Sequence, residues 1–144
     1  GVYPDATFSL RLSYGAVQGW EWGGETVPAM TQIRGLYERA TGSDPYKLAP
    51  SWEASRDTLD LDLPMNFVST NDIIGGNSGS PVINAKAEVV GLVFDGNIHS
   101  LGGAFWYDAR INRSVSVHSA VMIEALRKVY DADHLADEIL EGRE

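Results

Sequence analysis

The 144 residues, 44% of them hydrophobic, suit one packed domain or a portion of a larger one rather than a disordered tail. A formal charge of −9 argues against a nucleic-acid partner, since a phosphate backbone calls for a basic surface. The absence of cysteine excludes disulfides, thiolate catalysis and cysteine-ligated zinc, and no apolar run reaches the length of a membrane span.

The opening, GVYPDATFSL, has neither the basic lead nor the apolar core of a signal peptide and starts close to a strand. The chain is therefore expected to be cut from something longer. In TFSLRLSY, Phe8, Leu10, Leu12 and Tyr14 alternate with Ser9, Arg11 and Ser13, the period of a half-buried strand. GAVQGWEWGGETVP continues that strand into a turn, with Trp20 and Trp22 read as surface packing in preference to a ligand platform. The period then changes. Ile33, Leu36, Tyr37 and Ala40 fall one and two turns apart, which predicts a helix with Thr31 as its N-cap and Gly42 as its stop.

Residues 43–63 read as a loop holding a short helix near Ser51–Arg56, and PMNFVST returns to strand character. From Ser80, SPVINAKAEVVGLVFDG sets two apolar stretches around NAKA, the pattern of a hairpin, and SVSV is a further short strand. SAVMIEALRKVY predicts an amphipathic helix with Met122, Leu126 and Val129 on one side, and DADHLADEIL a short acidic helix carrying Leu135 and Ile139. The acidic tracts Asp57–Asp62 and Asp131–Glu144 are expected to be solvated surface. One mainly β unit is expected over 1–144, with a helical insertion near 31–56 and C-terminal helices over 116–144.

The chemistry concentrates in GGNSGSP, residues 75–81. Acyl transfer by serine needs an exposed hydroxyl and two backbone N–H groups aimed at the developing oxyanion. Glycine before the serine lets the backbone approach a substrate carbonyl, and glycine after it lets the chain leave sharply. Gly76 and Ser78 are positioned to supply those N–H groups, Gly79 frees the exit, and Pro81 begins the next strand. The alternative is a structural glycine turn between strands. The stretch resembles the nucleophile loop of chymotrypsin-fold serine peptidases, which implies that Ser78 is the nucleophile. Asn77 stands where some of those peptidases hold an Asp that pairs with a freed N-terminus, so no zymogen switch of that kind is expected.

No histidine precedes Ser78; His99, His118 and His134 all follow it. The order of a chymotrypsin-like triad puts the base and its orienter upstream, so all three read as surface or capping histidines. His99 is the one to weigh as a base. The missing base and orienter are expected from a preceding segment.

With TNDIIGGNSGSPVINAKAEVVGLVFDGN, NRSVSVHSAVMIEALRKVY and YPDATFSLRLSYGAVQGW, most of the chain resembles the C-terminal part of the bacterial dipeptidyl-peptidase 7 and 11 family. The resemblance implies part of a chymotrypsin-like double β-barrel, the nucleophile-bearing second barrel, with residues 1–115 in the barrel portion. It implies release of N-terminal dipeptides, with no metal or cofactor, in a periplasmic or cell-envelope location. Leu92–Phe94 would lie along the substrate backbone, and Asp95 would hold the free amine. Gly96 would line the primary pocket, where an Arg marks relatives that cleave after Asp or Glu. Glycine there implies cleavage after aliphatic or aromatic residues, and Gly96→Arg would turn the preference towards acids. Asp95 and Gly96 also read as plain turn residues.

Ala104 departs from an acid expected in many relatives, and the Asn112 acceptor pattern NRS reads as chance. Partners implied are peptides with a free N-terminus, the missing N-terminal part of the polypeptide, and a homodimer through exposed apolar faces. Two other readings stay open. One is a chymotrypsin-fold endopeptidase of glutamyl or high-temperature-requirement type, favoured if His99 sits in the pocket. The other is a non-catalytic C-terminal module.

Overall fold

A computed structural model describes residues 10–103 and 105–142, so the expectations for Phe8, Ser9 and Ala104 lie outside the described residues. Strands β1 (Trp20–Trp22) and β2 (Glu25–Val27) form a hairpin in which Trp20 faces Val27. Its turn is Gly23–Gly24, with φ of 61° and 85°. Two successive left-handed residues match the twist of the flanking strands, and glycine adopts them without a Cβ penalty.

The main sheet holds β3 (Met30–Gln32), β4 (Pro64–Ser69), β5 (Pro81–Ile83), β6 (Val89–Gly96) and β7 (Ser114–His118). Its order is β3-β4-β7-β6-β5, every neighbouring pair antiparallel, with β3 and β5 at its edges. The last strand in sequence therefore lies at the centre. Its serines are the buried positions, Ser114 and Ser116 each exposed by no more than 1%. Ser69 and Ser114 share a hydrogen bond of 2.7 Å across the β4–β7 pair.

Helices α1 (Ile33–Arg39) and α2 (Pro50–Ser55) form the insertion between β3 and β4. Helices α3 (Ser119–Lys128) and α4 (Asp133–Glu141) follow β7. The apolar cluster gathers Ile33 of α1, Leu59 and Val121 of α3, with Tyr37, Trp52, Met65, Val117 and Val129 packed against them. This core fastens the insertion and α3 to the sheet.

Four expectations change. Residues 10–14 are not a strand: Leu12 and Tyr14 are 84% and 88% exposed. The arm runs extended beside the end of β4 instead, joined by a bridge between Val17 and Ser69 and by Gln18 N–H donating to Val68 O at 3.2 Å. A single bridge on one side does not extend a ladder, whatever the side-chain period. Thr31 is not a helix cap but part of β3, where its hydroxyl accepts the Asn66 N–H at 3.2 Å; α1 starts after Gln32 without a side-chain cap.

On α3 the most buried line runs through Val121 and Ala125, with Met122 and Leu126 half-buried. On α4, Ala136 is buried while Leu135 and Ile139 are exposed. The small residue lets α4 approach α3 closely, which turns its larger apolar side chains outward. Asn112 is 2% exposed, as fits a chance acceptor pattern rather than a modified one.

Candidate functional site: a serine turn beside a cleft lined by one carboxylate

The turn before β5 is held by reciprocal bonds. Ile74 N–H donates to Asn77 Oδ1 at 2.9 Å, and Asn77 N–H donates to Ile74 O at 3.1 Å. Ser80 N–H donates to Asn77 O at 2.9 Å. The turn is then fixed to β6: Gly79 N–H donates to Val93 O at 2.7 Å and Val93 N–H donates to Ser80 O at 3.0 Å. Gly76 and Gly79 take φ of 98° and 85°, which explains glycine at both positions.

Four N–H groups of this turn, those of Ile74, Asn77, Gly79 and Ser80, are thus spent. Those of Gly76 and Ser78 make no hydrogen bond among the described residues. Ser78 is exposed, and its Oγ–H donates to Phe94 O at 3.3 Å, a long contact. An accessible hydroxyl beside two unspent backbone donors is the equipment of acyl transfer, short of a base.

Facing the turn is the end of β6. The β5 side of β6 is occupied as far as Val93, since Leu92 pairs with Pro81 and Val93 bonds Gly79 and Ser80. Of the expected Leu92–Phe94 edge, only Phe94 is left unpaired by β5, its carbonyl meeting the Ser78 hydroxyl, and that unpaired side continues to Gly96. The β6–β7 register also shifts here, with Val93 opposite Ser116 and Asp95 opposite Val115. Phe94 is the extra residue, a bulge that turns its side chain away from the ladder and leaves it 47% exposed.

Between turn and strand lies a cleft of about 290 Å³ lined by Ile73, Ile74, Ser78, Phe94, Gly96 and Leu101 among others. Asp95 is the one charged residue among the described residues lining it. One oxygen of its carboxylate accepts Gly96 N–H at 2.7 Å, and the residue is exposed. The structure thus brings Ser78, Phe94, Asp95 and Gly96 to one cleft. A larger depression of about 720 Å³, between the β1–β2 hairpin and residues 108–113, shares no residue with it.

None of the histidines lines the cleft. His99 packs on Trp22, ring centroids 4.1 Å apart, and edge-on to Trp20 at 6.1 Å, and it does not line the cleft. That withdraws the support a pocket histidine would give to a glutamyl endopeptidase. The tryptophans pack, as read, but on a histidine. His118 is the N-cap of α3, its Nδ1 accepting Ala120 N–H at 3.0 Å, and burial lowers its pKa. His134 is exposed on α4.

Three residues that brace the cleft escaped the sequence reading. Asn97 Nδ2 donates to Ile111 O at 2.7 Å, and its Oδ1 accepts Arg113 N–H at 3.1 Å and Ser100 Oγ–H at 2.8 Å. Ser100 sits in a 3-10 turn, Ile98–Gly102, that walls the cleft. Arg113 is 1% exposed and donates to the carbonyls of Gln18, Gly19, Ala109 and Asn112 at 2.7–2.9 Å. The one advance signal was Asn97 three residues before Ser100, a pairing typical of turn entry.

Mainly β with a few helices and built around a glycine-framed serine turn, the chain has the form of a peptidase portion. Residues 1–141 match the Peptidase S46 family model, and the chain belongs to that family. A dipeptidyl-peptidase 7 from Phocaeicola vulgatus is 36% identical over 146 residues, covering 94% of this chain and 20% of that protein. An Asp/Glu-specific dipeptidyl-peptidase from Shewanella putrefaciens is 32% identical over 169 residues, covering 96% of this chain and 23% of that protein. Among solved structures, Porphyromonas endodontalis DPP11 in complex with the dipeptide Arg-Asp matches with a TM-score of 0.81 at 29% identity. That match covers 88% of this chain and 20% of the other. The chain therefore spans about a fifth of the length of these relatives.

Proposed function

We propose that this chain is the nucleophile-bearing portion of a serine dipeptidyl aminopeptidase that releases N-terminal dipeptides after aliphatic or aromatic residues. The observation that carries the reading is the exposed Ser78 hydroxyl beside the N–H groups of Gly76 and Ser78, unspent among the described residues, in a cleft whose described lining has no cationic side chain. Ser78 Oγ attacks the carbonyl carbon, a base takes its proton, and the two N–H groups bind the oxyanion. The base then protonates the departing amine, and water hydrolyses the acyl-enzyme. Base and orienter come from another segment of the polypeptide, in keeping with the employment of His99 and His118 in packing and capping.

The open sheet is read as part of the second barrel of a chymotrypsin-like fold. The unpaired β5 side of Phe94–Gly96 takes the peptide backbone, and the outward Asp95 carboxylate takes the ammonium. A charge anchor two residues from the scissile bond is what makes an exopeptidase count. Recognition of an acidic side chain calls for a cation; the described lining here has none, which favours uncharged side chains. A periplasmic or cell-envelope site of action fits a scavenger of peptides.

The test uses the intact polypeptide carrying these residues. A fluorophosphonate is expected to label Ser78, and Ser78→Ala to lose label and at least ~10³-fold in kcat. Acetylation of the substrate amine is expected to abolish cleavage. Near-full activity of Ser78→Ala would sink the assignment, and unimpaired cleavage of acetylated substrates would make the enzyme an endopeptidase.

A further inference from the structure

Glycine at position 96 is not optional in this fold. A Cβ built there stands 2.9 Å from Ser100 Cβ, 3.4 Å from Ser100 Oγ and 3.7 Å from Arg113 O. Two sp³ carbons at 2.9 Å are far inside van der Waals contact. A terminal atom could rotate away, but Ser100 Cβ is fixed to the backbone of the 3-10 turn. Relief therefore requires the turn itself to move.

That turn is anchored. Ser100 N–H donates to Asn97 O at 2.8 Å, and Gly103 N–H donates to Ser100 O at 2.9 Å. Ser100 Oγ–H is shared between Asn97 Oδ1 at 2.8 Å and Arg113 O at 3.2 Å. Asn97 is itself held by Arg113 and Ile111. Moving the turn to admit one methyl group breaks several of these bonds together. Gly96 and Ser100 both line the cleft, so the same contact decides what can project into it.

Resting on the reading of this cleft as the specificity pocket, we infer that Ser100 is a second specificity-determining residue, whose Cβ excludes every side chain from position 96. The lack of a cation in the described lining is then a property of the Gly96–Ser100 pair. A cation at 96 must be accompanied by glycine at 100 or by a displaced turn. Gly96→Arg alone, which the sequence suggested would convert the preference, is blocked before its charge can act.

The experiment separates the carbon from the hydroxyl. In the intact polypeptide, Gly96→Ala is measured alone, with Ser100→Gly and with Ser100→Ala. Gly96→Ala is expected to lower Tm by about 2–4 °C, the effect of roughly 1 kcal/mol in a large domain. Both Ser100 variants lose the hydroxyl and its two bonds, so each double variant is read against its own Ser100 single variant: Gly96→Ala should cost little on top of Ser100→Gly, whose Cβ is gone, and keep its full cost on top of Ser100→Ala. Equal cost on top of both, or no loss in Gly96→Ala, would overturn the steric lock.

The second arm reads kcat/KM on free-amine dipeptide substrates ending in Asp and in Leu. Gly96→Arg should lose activity on both with little change in their ratio. Gly96→Arg/Ser100→Gly should raise the Asp-to-Leu ratio by ~10²-fold, the order expected of one well-placed charge pair. Melting-temperature coupling with an unmoved ratio would overturn the specificity role by placing the pocket elsewhere. Loss of coupling would overturn the lock itself, whatever the ratio does.

Discussion

Asn77 was read from sequence only for what it lacks, a charge to meet a freed N-terminus. In the structure its Oδ1 accepts Ile74 N–H while its own N–H returns a bond to Ile74 O, and this closes the turn that carries Ser78. Asn77→Ala deletes the acceptor without touching the hydroxyl. About 1.4 kcal/mol of lost preorganisation would lower kcat roughly tenfold with KM little changed. Asn77→Asp keeps an acceptor at the same atom and is expected to recover most of the rate. Steady-state kinetics of the two variants in the intact polypeptide check this; equal loss in both would mean that the amide N–H₂ group, not Oδ1, matters. The serine turn was legible because each of its adjacent positions answers a backbone demand, and positive φ at Gly76 and Gly79 is that demand seen in three dimensions. The Asn97–Ser100–Arg113 brace was not legible. Beyond the local Asn97–Ser100 pair, its bonds link residues 13–16 positions apart and each involves a backbone atom, which leaves no side-chain signature.

At the scale of elements, period and punctuation located β4, the β5–β6 hairpin, β7 and helices α1 to α4 to within a few residues. The failures share a cause. Alternation over residues 10–14 specifies which side chains agree, not whether a neighbouring strand exists to pair with. Thr31 has a capping side chain but is claimed by the β3–β4 pair, so tertiary pairing overrode local preference. The capping reading of His118 did hold, and it gives α3 a pH dependence. Its Nδ1 must be neutral to accept Ala120 N–H, and burial lowers its pKa below the ordinary 6.5. The folded state thus resists protonation while the unfolded chain takes up the proton. That stability is fully present above pH about 6.5 and is lost as pH falls through the lower folded value. Asp108 does not confuse the window: hydrogen bonds from the Arg110 side chain and backbone hold its pKa at about 2, so its contribution fades only in much stronger acid. Lowering pH from 7.5 to 5 is therefore expected to lower Tm, and His118→Asn, which keeps a capping oxygen, to flatten that part of the profile. An unchanged profile in His118→Asn would assign the dependence to other groups.

Across the whole molecule, one buried cation does the work of a staple. Arg113 reaches Gln18 and Gly19 on the N-terminal arm and Ala109 and Asn112 on the loop before β7, contacts up to 95 residues apart in sequence. Its backbone meanwhile bonds Asn97 and Ser100, so the same residue joins the arm to the wall of the cleft. Composition does not reveal this, because nothing near Arg113 in sequence marks it as a buried residue with carbonyl partners. A planar fork with five donors can satisfy carbonyls on two segments at once, whereas the ammonium of lysine is a single point on a flexible stem. Arg113→Lys is therefore expected to cost about 3 kcal/mol, because several carbonyls are left buried without donors. The loss should be local first. Gln18 and Gly19 are freed while the core around Ile33, Leu59 and Val121 is untouched, so brief chymotrypsin treatment should cut the arm at Tyr14 or Trp20 before the sheet unfolds. Simultaneous cutting throughout the chain would show instead that Arg113 holds the sheet as a whole.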